Sequence, residues 1–522
     1  MPAMGAPLHA GASQAAIASP ASPGAPFAVD ALVLEAGQAY VAFCTVDVAA
    51  LDRSLLDAVA LRLEEGGSAI GRDNLLLSAT GDPSKRCPGL MRSFLGEVLV
   101  GPFEPSAQTE AADVIAAVIA EAEGALQPAS ARIAETEAPE LHAPRDGASS
   151  TADSTVCVLA VASRDAKALA CLVNYALEPA LPFAQAQHSV SANTGGRPGA
   201  IALAVQEALG AAIPVLFCNG AAGDLASAMA PGGDTGESAA ELGRTLAGAV
   251  RESLETAGVR EEVVLSCRTR EVLLPPTLLG EMLPVTTVLQ EVRLDDTVFL
   301  SMPGAPAAQI GLLLRVRAMM QGAEHVFLLG LTGDYLGFQP TIEEFFAATP
   351  EACCAFYGPL MVKWYGDQHL RGKTAQEEPA WMEVPALGRF ASGFGAALER
   401  GRVAREAIAA HWAPLSAALD QAGGKMPGFG DVPKEFFSVL SEVDAAQATA
   451  FGKAGMAVHV RREFADFTEE QRAILMGLAE GASVPFDALL LLQVFSHPER
   501  LPEEAAAAVQ ALNVAGCDFF AN

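Results

Sequence analysis

The stretch of this sequence with the clearest chemical potential is VLFCNGAAGDLASAMA, at residues 215–230. Its apolar start predicts a buried strand, and Gly220, Gly223 and Asp224 predict a loop that presents a carboxylate where the strand ends. Nucleophilic catalysis in such a loop would need an exposed hydroxyl beside a base. Ser227 is the candidate for that hydroxyl, and Asp224 is the second candidate catalytic residue of the loop. A turn or helix N-cap role is the structural alternative for Ser227.

Alternating strand and helix patterns from about residue 28 to 335 predict the elements that must position this loop. AYVAFCTVDVA (39–49) and NLLLSAT (74–80) have strand patterns, and residues 51–66 between them carry apolar positions at helical spacing. The alternation continues through a predicted hairpin, a helix and three more strands: STVCVLAVAS with ALACLVNYAL, GAIALAVQEALGAA, IPVLFCN, VFLSMPGAP and HVFLLGLTGDYLGFQPT. Such alternation is typical of an α/β fold, in which helices pack on a sheet.

At 522 residues the chain is too long for a single hydrophobic core, so we expect more than one domain. The composition changes around residues 372–387, and beyond them the pattern is mostly helical. We therefore predict an α/β domain over 1–384 and a mostly helical segment over 385–522. Residues 125–153 are rich in proline, alanine and acids, which predicts an exposed excursion from the first domain.

The balance of 33 basic and 62 acidic residues gives a net charge of −29. An acidic chain repels nucleic acid and anionic membrane surfaces, so neither is an expected partner, although acidity also serves solubility alone. Nine cysteines without a Cys-x-x-Cys pair predict mostly reduced, buried thiols and a cytoplasmic location. We expect no signal peptide and no transmembrane helix, because no apolar run of about twenty residues occurs. Nothing in the sequence indicates an oligomeric state.

Standard catalytic signatures are absent from the sequence. There is no phosphate-binding Gly-x-x-x-x-Gly-Lys loop, no His-Glu-x-x-His pair and no Gly-x-Ser-x-Gly elbow. The eight histidines are scattered, and no two of them lie within one helical turn. A metal site built from histidines alone is therefore not expected.

Segments in order over residues 8–370 resemble the catalytic domain of the neutral (alkaline, non-lysosomal) ceramidases. They are AGASQAAIASPASPGAPF, VAFCTVDVA, DNLLLSATGDPS, LVNYALEPA, VSANTGGRPGA, VLFCNGAAGDLASA, FLSMPGAP and GDYLGFQPTIEEFF. The resemblance implies a ceramidase-like, mixed α/β fold. It also implies an amide hydrolase of lipid metabolism, whose substrate is a small molecule or lipid that carries an N-acyl group.

In the resembled family the amide is hydrolysed on a zinc ion held by two histidines, a glutamate and a tyrosine. The family's Thr-His-Thr-His segment is TGDP here, at residues 80–83, and Ala305 stands at the glutamate position. Asp82, Glu178 and Tyr335 are the candidate ligands that remain, and Glu178 itself stands at a histidine position. An all-oxygen set of this kind suits tight zinc binding poorly. A turn role for Asp82 and a solvated or salt-bridged role for Glu178 are the structural alternatives.

The loop at 215–230 also departs from the resembled family, whose Gly-Asp-Val-Ser-Pro segment supplies a catalytic serine. Ala226 stands at the serine position, and Ser227 follows one residue later. A shift of one residue points a side chain in another direction. Two interpretations are therefore open: an amide hydrolase with degenerate metal and nucleophile positions, or a non-catalytic protein that keeps the fold for binding or scaffolding.

The C-terminal segment carries a second resemblance, to isopenicillin N acyltransferase-like proteins. The similar stretches are residues 388–415 and FTEEQRAILMGLAEGASVPFDALLLLQVFS (467–496), where Gln493 replaces an asparagine. AGCDFFAN (515–522) resembles the Gly-Cys junction at which these N-terminal-nucleophile enzymes cleave themselves. The resemblance implies that Cys517 is the nucleophile, with its freed α-amino group as base. The segment would then be an α-subunit truncated after the junction, and the third interpretation is a fragment of a longer acyltransferase fusion.

Overall fold

The computed structural model divides into two compact units. The first comprises residues 1–272 and 287–338, and the second comprises residues 273–286 and 339–522. The domain boundary predicted near residue 385 lies outside the described residues. The structure describes residues 5–19, 22–144, 152–177, 196–227, 236–347, 352, 355–369, 388–421, 452–458, 460–461, 464 and 467–495.

The first unit is built mainly on strands. The described strands of the chain are β1 (Ala6–Ser19), β2 (Ser22–Ala36), β3 (Ala39–Val46), β4 (Leu75–Ala79), β5 (Gln127–Glu137), β6 (His142–Pro144), β7 (Thr155–Ser163), β8 (Ala168–Tyr175), β9 (Val215–Asn219), β10 (Leu225–Ser227), β11 (Val259–Arg260), β12 (Glu262–Val263), β13 (Leu265–Leu273), β14 (Thr286–Leu294), β15 (Thr297–Met302), β16 (Ala305–Pro306), β17 (His325–Gly330) and β18 (Phe338–Gln339).

Two sheets contain most of these strands. The larger sheet has the order β4-β3-β2-β1-β5-β7-β8-β9, with β12 beside β1 and β11 beside β5. Its outermost pairs, β3 with β4 and β8 with β9, are parallel, and the strands between them pair antiparallel. The second sheet has the order β13-β14-β15-β17, in which β15 and β17 are parallel. The loops that contain Asp82, Asp224 and Tyr335 follow β4, β9 and β17.

The two sheets share one hydrophobic core. Phe43 of β3 lies against Phe299 of β15 at 4.9 Å between ring centroids, and Phe299 stacks on Phe327 of β17 at 4.3 Å. Each fully buried phenylalanine of this kind contributes about 1.5–3 kcal/mol of hydrophobic stabilisation. Apolar residues on alternate positions of many strands complete the core: Leu8, Leu32, Leu159, Leu172, Leu216, Val292 and Leu329.

Helices pack on both sheets of the first unit. In the first unit the described helices are α1 (Arg53–Glu65), α2 (Phe94–Val100), α3 (Pro105–Gly124), α4 (Gly196–Leu209), α5 (Gly236–Thr256) and α6 (Ala308–Met320). Helix α1 begins where the Asp52 side chain accepts from the Ser54 backbone N–H, and its buried residues recur at helical spacing. Helices α4 and α5 bury their apolar faces with side chains of β7, β8 and β9.

In the second unit the described elements beyond residue 341 are helices: α7 (Ile342–Ala347), α8 (Met361–His369), α9 (Gly388–Gln421), α10 (Glu469–Ala482) and α11 (Phe486–Phe495). Helix α10 begins with a capping box, in which Thr468 and Gln471 each bond the other's backbone N–H. A Cβ on Gly477 or Gly481 would lie 2.4 or 2.1 Å from carbonyl oxygens of α9. These glycines therefore allow α9 and α10 to approach closely.

The predicted mixed α/β class is confirmed, and the predicted strands over 39–49, 74–80 and 215–219 are present as β3, β4 and β9. The predicted excursion over 125–153 is wrong in its first part, because residues 127–137 form β5 inside the larger sheet. Ala129, Ala131 and Ile133 fill the core on alternate positions, and the polar residues lie between them.

Among the described helices, none is both long and apolar enough to span a membrane alone. Helices α10 and α11 reach the required length and hydropathy as a pair, which is bent by 117°. Both contribute buried residues to the hydrophobic core of the second unit.

Candidate functional site

Three loops meet where β4, β9 and β17 end. The hydroxyl oxygens of Ser78 on β4 and Thr332 after β17 lie 2.7 Å apart in a buried hydrogen bond. Asn219, the last residue of β9, donates from Nδ2 to the carbonyl oxygen of Thr80 at 3.2 Å. These bonds bring together loops that contain predicted site residues at the carboxyl ends of the three strands, and strand carboxyl ends are the usual location of ligand sites in α/β sheets.

Asp82 is buried in a turn of its own loop. Its Oδ1 accepts from the backbone N–H of Ser84 at 2.9 Å and from the Ser84 hydroxyl at 2.7 Å. The backbone N–H of Lys85 donates to the Asp82 carbonyl oxygen at 3.1 Å. This is the arrangement that Gly-Asp-Pro-Ser favours on its own, because Asp caps tight turns with its carboxylate. The metal-ligand role predicted for Asp82 stays a prediction.

Asp47, which directly follows β3, is a buried carboxyl group near enough to the buried Asp82 to feel its charge, and we call the two the buried carboxyl pair. Oδ1 of Asp47 accepts from the Thr80 hydroxyl at 2.9 Å. Burial and the charge of Asp82 raise the pKa of Asp47 to about 8, against the lowering effects of the Thr80 hydrogen bond and of Lys85. Asp47 is not among the site residues predicted from the sequence. The available signal was a carboxylate placed where the buried strand VAFCTV ends.

Asp224 bridges the loop after β9 to the start of α6. Its Oδ1 accepts from the backbone N–H of Ala308 at 2.7 Å, in the first turn of that helix. The residue that precedes α6, Ala307, has no side chain able to cap it. Asp224 is 2% exposed. Through its bond to Ala308 the carboxylate caps the helix, although it belongs to another element. Its predicted catalytic role stays a prediction.

Gly220 and Gly223 allow close backbone approaches in the same loop. A Cβ on Gly223 would lie 2.3 Å from the carbonyl oxygen of Ala305 and 2.5 Å from the Phe338 ring. The N–H of Gly223 donates to the carbonyl of Pro306 at 2.9 Å. The loop therefore has a shape that a larger residue cannot adopt without displacing its neighbours.

Tyr335 is fully buried in the loop after β17. Its backbone N–H donates to Oδ1 of Asp334 at 2.8 Å, and Asp334 also accepts from the Thr287 hydroxyl at 2.8 Å and from the Arg53 backbone N–H at 3.1 Å. Burial raises the pKa of Asp334 to about 6, although these three bonds oppose the rise. Asp334 was not selected from sequence, and its role here is to fix the backbone of the Tyr335 loop.

The remaining predicted residues are placed only in part. Ala226 and Ser227 lie on the short strand β10, which pairs antiparallel with β6. Glu178 and Cys517 lie outside the residues that the structure describes. The proposed nucleophile roles of Ser227 and Cys517, and the ligand role of Glu178, stay predictions.

The described residues do not fit the zinc ion that the sequence resemblance implies. Gly81, Pro83 and Ala305 stand where the resembled family has zinc ligands, and none of them has a side-chain donor atom. Asp82 already commits one carboxylate oxygen to its own turn. Within the described ranges, no group of three or more His, Cys, Asp or Glu side chains is arranged to hold a metal ion. We therefore assign no zinc chemistry to these residues.

Comparison with solved structures identifies the class of fold. The chain is similar to the neutral ceramidase from Pseudomonas aeruginosa, with a TM-score of 0.59 and 15% identity over 69% of this chain and 73% of that one. A structure described as ceramidase complexed with C2 has a TM-score of 0.58 and 15% identity, over 69% of this chain and 74% of that one. No protein-family model matches the chain, and no curated protein matches its sequence.

The fold of this chain is therefore ceramidase-like, as the sequence resemblance predicted. At 15% identity the likeness concerns the fold alone. The acyltransferase-like character predicted for the C-terminal segment is not shown by these comparisons and stays a prediction.

Proposed function

We propose that the first unit is a ceramidase-fold protein that binds an N-acyl amide, such as a lipid amide, without zinc-dependent hydrolysis. One observation carries this proposal: the polar framework of the site is kept while the zinc-ligand positions are not. Asn219, Gly223 and Asp224 hold the loops together, whereas Gly81 and Ala305 offer no ligand atom.

The buried carboxyl pair supplies chemistry that suits an amide. An amide offers one N–H donor and one carbonyl acceptor. Burial and the charge of Asp82 raise the pKa of Asp47, which favours its protonated form, and a protonated carboxyl can donate to a carbonyl. The carboxylate of Asp82 can accept from an N–H. Buried polar groups cost stability unless they are satisfied, so a pair of this kind is expected to serve a ligand or a network.

A second candidate function is amide hydrolysis by the same pair without metal. A general acid or base works best when its pKa lies near the working pH, and Asp47 meets that condition. In this case the Asp82 carboxylate would take a proton from the water that attacks the amide carbonyl, and the protonated Asp47 would give its proton to the leaving nitrogen as the C–N bond breaks, which releases an acid and an amine. The two candidates differ in turnover, and the same preparation tests both.

The experiment uses the full chain and a dodecanoyl amide of an aminocoumarin dye. Fluorescence anisotropy measures binding of the probe, and release of the free dye measures hydrolysis, each with and without added zinc. We expect saturable binding and dye release at the rate of buffer alone under both conditions. Asp82→Asn should weaken binding, whereas Asp113→Asn, at an exposed position, should not.

Other outcomes assign the function differently. Dye release that is lost in Asp47→Asn supports metal-free hydrolysis by the carboxyl pair. Release that is lost in Cys517→Ser assigns turnover to the acyltransferase-like segment. Absence of binding by the intact chain overturns the proposal.

A further inference from the structure

The second unit contains a cavity of about 260 Å³. Segment 273–276, helices α8 and α10, and the start of α11 line it. This volume is slightly below that of typical small-molecule sites, so it suits a fragment-sized ligand. Most of the wall is apolar and includes Leu274, Pro276, Leu360, Trp364, Val484 and Phe486.

Three charged side chains lie together on the polar part of the wall. Lys363 Nζ donates to Oδ2 of Asp367 on α8 and to Oε1 of Glu480 on α10, the latter at 3.0 Å. Burial alone would lower the pKa of Lys363, but Glu480 and Asp367 raise it, so the ammonium stays charged. One positive and two negative groups leave a net charge of −1 on this wall.

The two carboxylates have acceptor capacity beyond what Lys363 uses. Each ionised carboxylate can accept at about four lone-pair sites, whereas an ammonium has three protons to give. The side chain of Asp367 is 9% exposed and that of Glu480 is 35% exposed, so Glu480 lies where a ligand can reach it from solvent. An added anion would meet an excess of negative charge, and an added cation would meet unused acceptors.

We propose that this cavity binds a small amphipathic ammonium compound, with its charged head at Glu480 and its hydrocarbon group against Trp364 and Phe486. The indole ring of Trp364 is held in place because its Nε1–H donates to the carbonyl oxygen of Leu273 at 2.8 Å. A fixed aromatic side chain beside the negatively charged part of the wall is suited to a cation that carries an apolar group. This site is independent of the function proposed for the first unit.

The test compares three probes of equal length: hexylammonium, hexanol and hexanoate. The full chain is labelled with fluorotryptophan, and the Trp364→Phe variant identifies the fluorine resonance of Trp364 in the NMR spectrum. Hexylammonium should shift this resonance saturably and bind at least about 5-fold more tightly than hexanoate, because a charge interaction at a partly exposed site changes affinity by roughly that factor.

Two variants separate the charge effect from simple packing. Glu480→Gln should weaken hexylammonium binding by about 5-fold and leave hexanol binding unchanged. Glu406→Gln, an exposed position on α9, is the matched control and should change neither. The proposal is overturned if hexanoate binds as tightly as hexylammonium, if no probe moves the Trp364 resonance, or if Glu480→Gln leaves the preference for the cation intact.

Discussion

Replacing Asp224 tests directly whether its carboxylate holds α6 in place. In Asp224→Ala the N–H of Ala308 loses an acceptor at 2.7 Å, and the first turn of α6 has no other side-chain cap in the described residues. A hydrogen bond to a charged group contributes about 1.5–3 kcal/mol, and a negative charge at a helix N-terminus adds about 0.3–1 kcal/mol. We therefore expect Asp224→Ala to destabilise the first turn of α6 by about 2–4 kcal/mol.

Hydrogen exchange followed by mass spectrometry measures this effect locally, on a peptide that covers α6. A loss of 2 kcal/mol corresponds to roughly a 30-fold rise in the population of the open form, and exchange should accelerate by that factor. Asp224→Asn keeps an acceptor oxygen but loses the charge, so its acceleration should be smaller. Asp113→Ala is the control, because its ion pair with Arg62 is exposed and contributes at most about 1 kcal/mol. Exchange in Asp224→Ala within twofold of the natural chain would refute the capping role.

Further predictions concern one glycine and two buried ionisable side chains. Gly223→Ala places a Cβ 2.3 Å from a carbonyl oxygen and should lower the free energy of unfolding in urea by at least about 2 kcal/mol. Gly248→Ala, whose Cβ would have no neighbouring atom within 4 Å, should raise the free energy of unfolding by up to about 1 kcal/mol. Asp47→Asn removes a carboxyl group whose pKa is raised to about 8 by burial and by the charge of Asp82. The folded chain therefore binds this proton more tightly than the unfolded chain does. As a result, the natural protein loses stability as the pH rises from about 4 to about 8. The stability of Asp47→Asn relative to the natural chain should therefore increase over that window and level off above it, in urea titrations at a series of pH values. Arg461→Met leaves Asp487 buried without the guanidinium that donates to it at 2.9 Å and should cost the second unit about 3–5 kcal/mol by the same measurement.

Each of these predictions has a contradicting result. Equal stability of the two glycine variants would show that the loop after β9 can relax around a side chain. A difference between Asp47→Asn and the natural chain that does not change with pH would show that Asp47 titrates normally. A cost below about 1 kcal/mol for Arg461→Met would indicate that solvent reaches Asp487.

The strands that could be predicted from the sequence are those with strong apolar patterns. VAFCTV and VLFCN contain β-branched and aromatic residues. They form the buried strands β3, next to one end of the larger sheet, and β9, at its other end. The strands β1, β2 and β5 carry alanine, serine and glycine at many positions, and these residues have weak strand preference. Their pairing is decided by neighbouring strands, so a local pattern does not reveal it.

Sequence could predict the parts of the candidate site that are formed by neighbouring residues, but not the contacts between residues that are distant in sequence. The turn alternative for Asp82 follows from four consecutive residues, and the structure contains that turn. The contact of Asp224 with Ala308 joins residues 84 positions apart, which no local pattern indicates. The partnership of Asp47 with Thr80 has the same origin, since parallel pairing of β3 with β4 brings the ends of these strands together.

The amount of zinc that the purified full chain retains distinguishes a ceramidase-like fold without the family's metal site from one that keeps such a site. The protein is incubated with excess zinc, separated from free metal by gel filtration and analysed by elemental mass spectrometry. We expect well under one equivalent of zinc per chain, on the order of a tenth or less, because an oxygen-rich donor set holds zinc weakly. Retention of one equivalent per chain, lost when Asp82 is replaced by Ala, would contradict it.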